Sequence, residues 1–153
     1  MEHFRFLRIA TAAAMVMLLA PSSLRAHQEP TIEEMKIRLA NAAVQDRPPL
    51  CIRISERQLA AYDRLYVAGD SEGAKAALED VVAFAEQARD SAIQSRKHEK
   101  QCEIAIRKSA RKLADIKHTV AHDDQAPVQD AINRLERIRD DLLLAMFPKG
   151  GKK

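Results

Sequence analysis

Tryptophan is missing from the chain, phenylalanine and tyrosine number four and two, and only four glycines and six prolines interrupt 153 residues. Without large aromatics, alanine and leucine must build most of the core. Small side chains let helices approach closely but bury little area each, so the expected shape is thin and elongated. So few glycines and prolines exclude a turn-dense strand architecture and leave one mostly helical domain. No nucleophile elbow, glycine-rich phosphate loop, His-Glu-x-x-His or haem-attachment Cys-x-x-Cys-His occurs, and with them go the enzyme classes they mark. Paired acids such as Glu33-Glu34 and Asp140-Asp141 fall at helix ends or on polar faces, where solvation accounts for them. The reading is of a protein that is not an enzyme and takes no cofactor.

Residues 1–26 have the layout of a signal peptide. Arg5 and Arg8 make a basic start, Ile9–Ala20 is an apolar run of twelve, Pro21 breaks it, and the small residue Ala26 ends it. Twelve residues are too few to span a bilayer, and no other segment is apolar enough, so the mature chain is expected to be periplasmic or secreted with no transmembrane segment. Cleavage removes Arg5, Arg8, Arg25 and Glu2, and leaves 22 basic and 21 acidic residues. An exported chain so near neutrality is a poor nucleic-acid binder.

From Ser71 to His122 no proline occurs and one glycine, Gly73. Stepping alternately four and three residues from Ala74 meets Leu78, Val81, Ala85, Ala88, Ala92, Ser95, Glu99, Cys102, Ile106, Ser109, Leu113, Ile116 and Val120. This 3.5-residue period predicts one continuous central helix over 71–122, about 75 Å long at roughly 1.5 Å per residue. Its seam turns polar at Gln94–Gln101, so two partner segments are expected to cover its two ends. Before it, Thr31 and Glu34 have capping-box spacing and start a helix that runs to about Gln45. Asp46-Arg47-Pro48-Pro49 stops that helix, and a second begins near Leu50 and ends at Val67. Asp124-Gln125-Ala126-Pro127 opens a last helix that closes at Phe147-Pro148. Residues 27–148 thus read as an all-α, elongated antiparallel helical bundle built on the long helix, and 149–153 as a disordered basic tail.

The Gly69-Asp70 turn followed by Ala74 and Leu78 resembles one tetratricopeptide-type helical pair. A single copy implies the hairpin geometry and no peptide groove. Arg47-Pro48-Pro49-Leu50-Cys51, Ala68-Gly69-Asp70, Asp80-Val81-Val82 and Asp124-Gln125-Ala126-Pro127-Val128 together resemble a family of exported all-helical proteins of acidobacterial type. That resemblance implies the fold and export, and no particular activity.

His118 and His122 stand one helical turn apart on this reading, with Asp123 and Asp124 beyond them. Two imidazoles and a carboxylate suit zinc or copper; equally, histidines in a last helical turn sit well against the negative end of the dipole. His27, amino-terminal after cleavage at Ala26, is a weaker copper candidate because nothing here predicts the strands on which such sites are built. Export would let a disulfide persist, but a straight central helix sets Cys102 about 20 Å beyond the point opposite Cys51, so buried free thiols are expected. Residues 70–92 carry a balance of −4 and residues 93–121 one of +5. Two such rods laid head to tail would match opposite signs, which suggests an antiparallel homodimer. The functional expectation is a non-catalytic exported scaffold or protein-interaction protein with a protein partner. The alternative is an envelope metal-binding or metal-sensing protein using His118 and His122.

Overall fold

The computed structural model describes residues 29–148. The expected signal peptide 1–26, His27 and the tail 149–153 lie outside the described residues. Five α-helices follow one another: α1 (Ile32–Asn41), α2 (Arg47–Val67), α3 (Ser71–Ser95), α4 (Glu99–Lys117) and α5 (Gln125–Met146). Among the described residues there is no strand, and no helix is long and apolar enough to cross a membrane. The chain is an all-α helical bundle, as expected.

Each helix starts where a local reason exists. The Thr31 hydroxyl accepts from the Glu34 amide while Glu34 returns a carboxylate to the Thr31 amide, so both orphan donors of the α1 start are satisfied. α2 begins three residues earlier than the prolines suggest. Pro48 and Pro49 occupy its first turn, where a missing N–H has no intrahelical partner to lose. Gly69, at φ 79°, closes α2 in the left-handed conformation. The Asp70 carboxylate then caps α3 by accepting from the Gly73 amide at 2.9 Å. A Cβ on residue 73 would fall 2.3 Å from that carboxylate, so a larger residue there would displace the Asp70 cap from its present position.

The expected unbroken helix over 71–122 does not form. α3 ends at Ser95, Arg96 and His98 take left-handed backbones at φ 53° and 66°, and α4 sets off in the opposite direction. Three cross-chain links fix that reversal. The Tyr66 hydroxyl at the end of α2 meets Ala121 and Asp124 beyond α4; Arg134 of α5 reaches Glu79 and Glu86 of α3; Arg89 of α3 reaches Asp141. α4 therefore runs antiparallel to α3, and α5 parallel to it. Helix α2 packs on α3, α3 on α5, α5 on α4 and α4 on α2, closing a four-helix ring with α1 laid against its first hairpin.

The reason for the break is burial. Nothing between Gln94 and Gln101 is apolar enough to hold a straight helix against a partner. Folding back puts both halves of the seam into one core: Leu78, Val81, Ala85, Ala88, Ala92, Cys102, Ile106, Leu113 and Val120 are all buried. Two left-handed non-glycine residues cost roughly 1–2 kcal/mol each. Each Ile106-sized side chain taken out of water returns about 1.5–3 kcal/mol, so a few such residues along the α3–α5 and α2–α4 contacts outweigh that cost.

The turn therefore carries a signed prediction. Arg96→Gly and His98→Gly should each raise stability by about 0.5–1 kcal/mol, because glycine adopts this backbone without the Cβ penalty. In a continuous helix the same changes would each lower it by about 1 kcal/mol. Urea denaturation of the two variants decides the sign.

Candidate functional site

Charge is distributed by the fold in a way that separates α3 from α4. Three of the α3 acids are drawn towards other helices: Arg134 donates to Glu79 at 3.0 Å and to Glu86 at 3.3 Å, and Asp80 accepts from Gln58 at 2.6 Å. Lys36 of α1 also reaches Asp80, at 3.4 Å. The acids of residues 70–92 are thus largely engaged inside the chain. On α4, Glu103 turns inward and accepts from Arg139 of α5 at 2.9 Å. Arg107 lies 3.2 Å from the same oxygen but off the hydrogen-bond direction, leaving its Nε buried with no bonded partner.

The outer face of α4 is left cationic. Lys100, Lys108, Arg111 and Lys112 are exposed, as are Arg96 and Lys97 in the turn before it. Among the described residues, no carboxylate lies within ion-pair distance of any of the six. Spacings of four, four and three residues align Lys100, Ile104, Lys108 and Arg111 along one stripe of α4. Ile104 lies within it, 44 % exposed. Lys108 and Lys112 also border a cleft against Glu56 and Leu59 of α2. Chemically this is a rigid row of ammonium and guanidinium donors suited to an anionic surface, with one apolar point among them.

The reversal corrects the reading of the cysteines. Cys102 sits in the first turns of α4 and lines a cleft of about 210 Å³ with Pro49, Ile52, Arg53 and Glu56 of α2, the residues that bracket Cys51. The separation of 20 Å expected from a rod vanishes with the rod. Both thiols are free and buried. Burial pushes the Cys51 thiol up to about 11, partly offset by the Arg47 charge. Cys102 rises to about 12, again by burial, with Cys51 and Glu99 adding to it. Neither has the lowered pKa of a reactive thiolate.

His118 and His122 do not share a helical face. α4 ends at Lys117, Ala121 is extended (ψ 152°), and His122 begins a 3₁₀ turn that leads into α5. Both imidazoles are exposed. Among the described residues, no three His, Cys, Asp or Glu side chains gather as a metal centre. What the segment does hold is a structural clasp absent from the sequence reading. The Tyr66 hydroxyl accepts from the Ala121 amide at 2.8 Å and donates to Asp124 at 3.0 Å. A tyrosine at the end of an amphipathic helix gives no pattern from which that clasp could be found.

Compared with protein-family models, curated proteins and solved structures, the chain matches none.

Proposed function

We propose that the protein is a non-catalytic, exported scaffold that binds an acidic protein segment along the outer face of α4. The observation that carries the proposal is the asymmetry of the two middle helices. Acids of α3 are engaged by Arg134, Gln58 and Lys36, whereas six cations on and beside α4 have no carboxylate partner among the described residues. Unpaired charge of one sign on a rigid helix speeds encounter with an oppositely charged partner and fixes its register. The absence of aromatics among these cations favours a protein segment over a membrane surface, where aromatic side chains usually anchor. Export rests on the basic-apolar-small pattern of residues 1–26.

The homodimer expected from two rods side by side changes its premise, because the acidic and basic segments already lie antiparallel within one chain. A heterologous acidic partner fits the remaining charge better than a second copy does.

The test uses labelled poly-L-glutamate as the acidic probe, with binding followed by fluorescence anisotropy at low and at physiological salt. The wild-type chain should bind at low salt and weaken as salt rises. A Lys100→Glu/Lys108→Glu/Arg111→Glu variant, changed only at exposed positions, should bind at least about tenfold more weakly while keeping its thermal midpoint. Equal binding by the two proteins, or none by the wild type at low salt, contradicts the assignment.

A further inference from the structure

We infer that Cys51 and Cys102 close into an intramolecular disulfide that ties the start of α2 to the start of α4. Three observations bring the two cysteines to one level of adjacent helices. α2 and α4 run parallel and pack on each other, with Pro49 and Ile52 at the level of His98 and Gln101, and Glu56 and Leu59 at the level of Lys108 and Lys112. Cys51 and Cys102 are both core residues, at 0 and 1 % exposure. Cys102 borders the cleft whose opposite wall is the residues on either side of Cys51. Both cysteines lie within two turns of their helix starts, one begun by prolines and the other by the left-handed turn at Arg96–His98. Helix ends yield more readily than helix centres, and a disulfide needs a Cα separation of roughly 4.4–6.8 Å.

The reaction is a thiol–disulfide exchange with a disulfide-bearing oxidant. In the folding chain the Cys102 Sγ loses its proton to solvent and attacks one sulfur of the oxidant's S–S bond, which breaks and releases a thiolate. Cys51 then loses its proton and attacks Cys102 Sγ, forming the internal bond and expelling the oxidant's second thiolate. The chain gives up two electrons and two protons, and the oxidant is reduced to two thiols. Burial that holds both thiols protonated makes the native dithiol slow to react, so the bond forms during folding, before the core closes. Its persistence in the cell rests on the export reading above, whereas its formation does not.

The experiment refolds the full chain from the reduced, denatured state in a glutathione redox mixture. Products are then denatured, tagged with maleimide and weighed. The expected product carries no tag, has lost two hydrogens, and yields a cross-linked peptide pair containing Cys51 and Cys102. Because the bond closes a long loop, adding reductant to that product should lower its thermal midpoint by about 10 °C. A Cys51→Ala/Cys102→Ala chain should show no reductant-dependent change; if that variant fails to fold, the mass of the wild type decides alone. Two tags per chain, a glutathione adduct on one cysteine, or a bond between chains each overturns the inference. Trapping thiols in cells that produce the precursor tests the other premise separately. A chain that bridges on refolding but is recovered reduced and with residues 1–26 attached keeps the disulfide assignment and removes export.

Discussion

Truncation of Leu135 to alanine is expected to cost about 2–5 kcal/mol of folding free energy. Leu135 lies midway along α5 with no exposed surface, between the buried Ile132 and Ile138. α5 packs on both α4 and α3, so the space left by three lost carbons is framed by helices on more than one side and cannot collapse by tilting one of them. Across the roughly 120 described residues that loss should lower the thermal midpoint by roughly 10–20 °C. Urea unfolding with an unchanged m-value checks it. A loss below about 1 kcal/mol would mean that α5 is not sandwiched as described.

The second large effect is at Glu103. Its carboxylate is the only acidic group facing Arg107 and Arg139 among the described ion pairs, and it is nearly buried between α4 and α5. Glu103→Ala would leave two guanidiniums facing each other, one with a buried Nε. Breaking a fully buried pair costs about 3–5 kcal/mol. Here the arginine side chains are 40 and 37 % exposed, so water screens part of the loss and about 2 kcal/mol is expected. Glu103→Gln, which keeps an acceptor for Arg139, should lose about half as much. A double-mutant cycle with Arg139→Ala separates the pair from its surroundings, and coupling below about 0.3 kcal/mol would contradict the assignment.

The sequence-based reading erred where a periodic signal was asked for more than it contains. The four-three spacing from Ala74 to Val120 identifies which residues are buried on both sides of the turn, and the fold buries nearly all of the apolar ones. Periodicity, however, reports a face and not a direction. The turn after Ser95 is three residues long, Arg96 to His98, and the phase beyond it continues as though nothing had happened. The break also lacks its usual marks, since neither left-handed residue is glycine. One signal was present in the polar run Gln94–Gln101, which has no apolar side to hold against a partner. The capping box at Thr31, the Gly69 turn and the α5 start were legible because each depends on residues three or four apart.

Everything inferred from the rod changed with it. The cysteine separation, the histidine face and the head-to-tail dimer all assumed that position along the sequence measures distance along one axis. Once α4 folds back, Cys102 returns to the level of Cys51, and the −4 and +5 segments become neighbours in one bundle. The cationic stripe on α4 was legible as a charge run. Its lack of partners was not, because Arg134 and Arg139, which engage α3 and Glu103, arrive from α5, far along the chain.

Resonance energy transfer between labels at residues 72 and 119, introduced through non-cysteine chemistry so that Cys51 and Cys102 stay intact, tests the chain reversal most directly. Glu72 and Thr119 are both exposed, one at the start of α3 and the other just beyond α4. In a bundle whose packed helices lie about 8–10 Å apart, transfer should be nearly complete, with the labels within about 25 Å. A separation near 70 Å, the length of 47 residues of unbroken helix at about 1.5 Å each, would contradict the fold and every inference drawn from it.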